Sequence, residues 1–140
     1  MIAIGCDHWG INLKQVVTDH LRDKGIEFRD FGTYSSAACN YPDFAKIVAN
    51  AVAGGECEKG LLICGTGIGM SIAANKVKGI RAAAVSDSYS VKYMRLHNDA
   101  NILCLGVNVV GTGLATMLLD IFLTTEFEGG RHKLRVDMYE

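Results

Sequence analysis

A cysteine stands at the head of a glycine-rich run, Ile63-Cys64-Gly65-Thr66-Gly67-Ile68-Gly69-Met70-Ser71. Glycines at 65, 67 and 69 let a backbone turn tightly and aim several N–H groups at one point, and a helix beginning there adds the positive end of its dipole. Such a loop suits an anion, either a phosphate or an oxyanion that develops during a reaction. A thiolate at Cys64 is favoured by the same groups and could serve as nucleophile or general base. The plainer readings are a buried core cysteine and a simple tight turn. Gly5-Cys6-Asp7-His8 adds a carboxylate and an imidazole, a pair suited to moving protons between neighbouring oxygens, although Asp7 could instead cap a helix. His97-Asn98 brings the partner types that a cysteine hydrolase would use. Arg131 and Arg135, four apart, would share a helix face and clamp a phosphate, or form an ordinary solvated basic end.

Other chemistries lack their patterns. The P-loop spacing is missing, and a dinucleotide fingerprint would need glycine at position 70, which is Met70, even though Asp87 follows at about the distance of a ribose-binding acid. The four histidines and five cysteines show no metal-ligand spacing, so a cofactor-free reaction is the simpler expectation. The odd cysteine count fits a reducing cytoplasm. Net charge is −1, which recommends neither nucleic acid nor an anionic membrane, and no apolar run is long enough to span a bilayer. The first residues reach Asp7 too soon for a signal peptide and read as a strand.

The elements that must position these residues alternate. Strands are predicted at Ile2–Gly5, Ile26–Phe31, Gly60–Cys64, Arg81–Val85 and Ile102–Leu105. Helical spacing places Leu13, Val16, Val17 and Leu21 on one face, and Phe44, Ile47, Val48 and Ala51 on another; Met70–Val77, Ser88–Leu96 and Val109–Leu123 complete the helices. Gly25, Gly55 and Gly79 mark helix ends. The alternation predicts one α/β domain over 1–140, with a parallel sheet covered on both faces and a segment after Gly129-Gly130 that projects from it. Ligands in such sheets gather at the carboxyl ends of strands, so the three motif stretches are expected to converge on one rim. His20, within a helix, is assigned no role.

The ordered set Gly5-Cys6-Asp7-His8, Tyr41-Pro42, Cys64-Gly65-Thr66-Gly67-Ile68-Gly69, Ser71-Ile72-Ala73-Ala74-Asn75-Lys76, Gly79-Ile80-Arg81-Ala82, His97-Asn98-Asp99 and Gly129-Gly130-Arg131-His132 with Arg135 resembles the type B ribose-5-phosphate isomerases. That family also includes the subunits of galactose-6-phosphate isomerase. The resemblance runs almost end to end. It implies a Rossmann-like three-layer sandwich with a five-stranded parallel sheet, assembled as a homodimer or tetramer with shared active sites and acting on a phosphorylated sugar. By the same resemblance Cys64 abstracts the proton beside the sugar carbonyl. The N–H groups of Gly65, Thr66, Gly67, Ile68 and Gly69, with the Thr66 side chain, hold the enediolate oxygens. His97 helps open the sugar ring and Asp7 moves a proton between oxygens. His8, Arg131 and Arg135 hold the phosphate, the arginines and their segment from about residue 129 reaching in from a neighbouring subunit. Tyr41 and Asn98 line the sugar.

Three features depart from the family pattern. Asn108 stands where many members carry a phosphate-binding arginine, Trp9 is larger than the residue usual after the Asp-His pair, and little chain follows Arg135 to pack it down. Arg135-Val136-Asp137-Met138 and Val85-Ser86-Asp87 are similar to the galactose-6-phosphate subunits, which form hetero-oligomers in which one type lacks much of the catalytic set. Ribose 5-phosphate is therefore the leading substrate. Galactose 6-phosphate, allose 6-phosphate or a free aldose is the alternative, and a non-catalytic subunit is the third reading; the intact catalytic set opposes the last.

Overall fold

Short apolar runs separated by amphipathic stretches have one economical arrangement, in which the runs pair side by side and the amphipathic stretches cover both faces. The computed structural model, which describes residues 1–139, has this arrangement. Five strands, β1 (Ile2–Cys6), β2 (Phe28–Asp30), β3 (Lys59–Cys64), β4 (Ala82–Ala84) and β5 (Ile102–Gly106), form one parallel sheet in the order β2-β1-β3-β5-β4. The helices are α1 (Ile11–Asp23), α2 (Tyr41–Ala53), α3 (Ile68–Ala74), α4 (Ser88–Leu96), α5 (Thr112–Thr124) and α6 (Arg131–Val136), followed by a 3-10 turn over Asp137–Tyr139.

Alternation along the central strands divides the core. Ile2, Ile4, Leu61, Ile63, Leu103 and Leu105 face α1, α4 and α5, where Val17, Leu21, Val91, Leu118 and Phe122 are buried. Ala3, Leu62, Cys64, Ile102 and Cys104 face α2 and α3, against Val48, Ala49, Val52 and Met70. The sandwich and the five-stranded sheet are thus as the sequence implies. All five cysteines are free thiols. No helix among the described residues is long and apolar enough to cross a membrane.

Several boundaries differ for physical reasons. Ile47 lies on the outer side of α2 and is 43% exposed, because Ala45, Val48, Ala49 and Val52 form the inward stripe instead. α3 begins at Ile68 and is seven residues long. Val109 and Val110 precede α5 in a turn whose N–H groups are tied to the glycine loop, Val107 to the Cys64 carbonyl (2.9 Å) and Asn108 to that of Gly65 (3.1 Å). The segment after Gly129-Gly130 turns back rather than projecting. His132 is 8% exposed against α4, and Asn98 Nδ2 donates to the Tyr139 hydroxyl at 2.9 Å.

The strand order reverses between β1 and β3: the chain runs from β1 outward to β2, then returns to place β3 on the other side of β1. The loops after β1 and β3 therefore diverge at the carboxyl rim and leave a crevice between them.

Candidate active site

Cys64 ends β3 with its side chain 5% exposed on the α2/α3 face. The chain then turns sharply through Gly67, whose φ of +81° belongs to the left-handed region. A Cβ there would also fall 3.1 Å from the Cys104 and Leu105 backbone, so only glycine lets the loop lie this close to β5. The turn brings the Gly67 N–H to 3.1 Å from Cys64 Sγ, where it donates to the sulfur. An N–H so placed is a donor that a sulfur acting as base could use. Cys104, stacked behind and enclosed by the core, has its thiol pushed far up by burial and takes no part.

The loop donors divide. The Gly67 N–H serves Cys64 and the Ile68 N–H donates to Thr66 Oγ1 at 3.2 Å, so these two of the five expected donors are already used. The N–H groups of Gly65, Thr66 and Gly69 have no acceptor among the described residues. Thr66 is exposed, and its hydroxyl still has a proton to donate. Three backbone donors and one hydroxyl next to a thiol make a site for a developing oxyanion.

The neighbouring loops complete this rim. Asp7 is 5% exposed, and its Oδ1 accepts from the Trp9 N–H at 2.9 Å. It does not cap α1, whose N-cap is Gly10 without a side-chain bond. His8 Nδ1 accepts from the Cys39 N–H at 3.4 Å, which leaves Nε2 without a partner among the described residues. The Tyr41 ring lies over Gly69, 2.7 Å from where a Cβ would be. Asn108 Nδ2 lies 3.5 Å from the corresponding position on Gly65, so its carboxamide borders the loop. Trp9 is 60% exposed and lines an apolar pocket with Leu13, Val16, Val107 and Val110 beside the rim.

The expected convergence of three stretches fails for the third. Parallel strands joined by helices send α4 from the carboxyl rim to the amino rim, and His97 is its C-cap. In the β3–β5 pairing Cys64 stands opposite Gly106 and Gly60 opposite Ile102, so about 13 Å of strand separates the rims. His97 and Asn98 lie beyond the amino end of β5. Arg131 and Arg135 accompany them, both exposed on α6 and without a bonded partner among the described residues. The candidate residues thus fall into two groups at opposite ends of the sheet.

The amino-rim cluster is well fixed. Asp99, at φ +48°, binds Arg95 Nη1 (2.9 Å) through one carboxylate oxygen and Arg81 Nη2 (3.2 Å) through the other. His97 packs edge-on against Tyr93 and face-on against His132, with ring centroids 3.9 Å apart and planes 10° from parallel. Glu128 Oε2 stands 3.2 Å from His132 Nε2 and 3.6 Å from His97 Nε2. Sequence reading missed Glu128, which its N–H on the Leu96 carbonyl (3.1 Å) holds beside His97, and gave His132 no role although it stands in the Gly129-Gly130-Arg131-His132 motif; His132 reaches His97 because the Gly129-Gly130 turn folds back. Their donor types would suit a metal, and they form the only such group among the described residues. The geometry opposes it, because parallel rings direct their in-plane lone pairs along separate planes. His20 makes a structural tie, its Nε2 2.8 Å from Asp120 Oδ1, with Lys24 on the other oxygen at 2.9 Å.

Residues 2–139 match the family model described as Ribose/Galactose Isomerase. The chain is 53% identical to ribose-5-phosphate isomerase B of Escherichia coli (strain K12), over 97% of this chain and 91% of that protein. It superposes on Clostridium thermocellum ribose-5-phosphate isomerase B with a TM-score of 0.95 at 54% identity, covering 97% of this chain and 92% of the other. A structure of Mycoplasma genitalium ribose-5-phosphate isomerase B with bound ribulose-5-phosphate aligns with a TM-score of 0.93 at 43% identity, over 97% and 91% of the two chains. With matches of this length and identity, agreeing in sequence and in fold, the chain belongs to the Ribose/Galactose Isomerase family.

Proposed function

We propose that this chain interconverts ribose 5-phosphate and ribulose 5-phosphate through an enediolate, with Cys64 as the base. The observation that carries the reading is the Cys64 sulfur under the Gly67 N–H, beside the unfilled donors of Gly65, Thr66 and Gly69. The sugar enters as a ring. The C1–O4 bond breaks as His97 gives its proton to O4 and the O1 hydroxyl gives its own to Asp7, leaving an aldehyde. The Cys64 thiolate then takes the proton from C2, and the electrons of that bond form C1=C2 while charge gathers on O1. The loop donors stabilise that charge, each important donor contributing about 3–4 kcal/mol in related oxyanion holes. Asp7 carries a proton from O2 to O1 and the Cys64 thiol returns its proton to C1, giving the ketose. His8, Arg131 and Arg135 hold the phosphate and orient the reacting carbons. Nothing in this sequence of steps requires a cofactor.

The reading requires a second copy. Cys64, Asp7, His8 and Tyr41 serve from one chain, while His97, Asn98, Arg131 and Arg135 are supplied by the other, in a homodimer or a tetramer of such pairs. The segment from about residue 129 thus acts across the interface although it packs on its own α4. Five free thiols fit a reducing cytoplasm.

One observation favours a second reading, the same chemistry on another sugar. Asn108 borders the loop with a neutral amide, which removes a cation from the phosphate end and leaves hydrogen-bonding capacity for an extra hydroxyl. Isomerisation by the purified chain is to be measured with ribose 5-phosphate, allose 6-phosphate, galactose 6-phosphate and free ribose in parallel. Highest kcat/KM on ribose 5-phosphate is expected. Preference for a hexose phosphate or free ribose would reassign the pocket, and inactivity on all four would point to a subunit that needs a different partner chain.

A further inference from the structure

The fold places two residues around His97 that the proposed chemistry has not used. Glu128 is half exposed and reaches both Nε2 atoms with a single oxygen, at 3.2 Å for His132 and 3.6 Å for His97. The two rings lie face to face at 3.9 Å, and Tyr93 closes the other side of His97 with its own ring stacked on Tyr89 at 4.4 Å. The frame is tied by backbone bonds. The Glu128 N–H donates to the Leu96 carbonyl (3.1 Å), and the His97 N–H donates to that of Tyr93 (2.9 Å).

We infer that Glu128 and His132 are positioning residues for His97, confining one proton to the stacked pair and leaving His97 Nδ1 as the nitrogen offered to the sugar ring oxygen. The inference rests on the proposed role of His97 in ring opening. Two imidazolium rings face to face repel, so the pair carries one charge. Burial first, then the charges of His97 and Arg131, push the His132 imidazole below the ordinary histidine range, while Glu128 opposes them and Arg135 adds to them. His97 caps the C-terminus of α4, where the helix dipole favours a cation, and it is more open to solvent than His132. The groups facing the pair are therefore Glu128, Arg131, Arg135 and Tyr93, and those acting on His132 on balance disfavour a proton there. With Nε2 on the side of the Glu128 carboxylate, 3.6 Å from Oε2, a proton on Nδ1 has no acceptor among the described residues. It is free to go to O4 as the ring opens.

The test separates ring opening from the enediolate step. Ribose 5-phosphate is a ring and must be opened. Ribulose 5-phosphate cannot close a furanose ring, because its O5 is esterified, so exchange of its C1 hydrogen with D2O runs through the enediolate with no ring step. Isomerisation of ribose 5-phosphate and this exchange are to be measured for the wild type, Glu128→Gln and His132→Phe, the last keeping a flat ring against His97. In isomerisation both variants are expected to lose roughly tenfold or more in kcat with KM nearly unchanged, a part of the 10²–10⁴-fold typical of a whole general acid. Exchange into ribulose 5-phosphate is expected to stay near wild type. Equal losses in both measurements, or no loss, would overturn the inference while leaving a working wild-type enzyme. A wild type inactive in both would instead overturn the reading beneath it. Should His132→Phe fail to fold, Glu128→Gln, on a half-exposed side chain, decides the question alone.

Discussion

Gly106→Ala is a test of the oxyanion loop that never touches a reacting group. Gly106 ends β5 directly behind Thr66, and a Cβ there would lie 2.6 Å from the Thr66 Cα and carbonyl carbon and 2.7 Å from its oxygen. Ordinary carbon contacts begin near 3.5 Å, so the loop must retreat by about 0.9 Å. The obstructing atoms are backbone, and no side chain can rotate aside. A displacement of that size moves the Thr66 hydroxyl and the Gly65 and Thr66 N–H groups off the enediolate oxygen, for which a loss of about 100-fold in kcat is the expected scale. Overpacking of this kind costs about 1–3 kcal/mol of stability, visible as a fall in Tm of several degrees. Gly113→Ala is the control. It lies in the first turn of α5 with no atom within 4 Å of the added Cβ, and should leave kcat unchanged while stabilising the helix slightly. The assay is steady-state isomerisation of ribose 5-phosphate with thermal unfolding of each variant. A Gly106→Ala enzyme within about threefold of wild type in kcat would refute the assignment of these donors to catalysis, because the clash cannot be relieved without moving them.

Cys64→Ala should abolish turnover yet bind ribulose 5-phosphate within a few-fold of wild type by calorimetry; full activity in that variant would reassign the base. Arg135→Ala should raise KM for phosphorylated substrates roughly 10–100-fold, the scale of a charged hydrogen bond, and change that for free ribose little. The His20–Asp120–Lys24 tie gives a pH-dependent stability. Burial raises the Asp120 pKa, but the bonds from His20 and Lys24 outweigh it and hold the carboxyl below its ordinary value of 3.8. A depressed carboxylate stabilises the fold above its unfolded pKa and loses that contribution as pH falls through the folded one. Asp120→Asn should therefore lower Tm at pH 7 by about the few degrees expected of a partly exposed ion pair, and the difference should shrink progressively as the pH falls below 3.8.

The sequence made the fold legible because strand and helix periods alternate without a break, and Ser88–Leu96 is a helix at both predicted ends. It also made the Cys64 rim legible, since a cysteine, three glycines and an Asp-His pair each follow a strand. What it hid depends on direction and on distant folding. His97 was placed on the same rim, although a helix that crosses from one strand end to the other must deliver its C-cap to the opposite rim. Glu128 carries no local pattern, and His132, though within a recognised motif, meets His97 only through the turn at Gly129-Gly130, which reverses what looked like a projecting tail. Val109 and Val110 read as helix because they are apolar. In the fold their turn is spent on carrying Asn108 to the glycine loop.

The proposed isomerase site is assembled from the Cys64 half of one chain and the His97 half of another. Cys64→Ala and His97→Asn chains, each nearly inactive alone, are to be unfolded together, refolded as a mixture and assayed on ribose 5-phosphate. In a mixed pair one shared site loses both residues and the other keeps both. Random pairing should therefore restore about one quarter of wild-type activity. A mixture no more active than its parents would contradict the shared site.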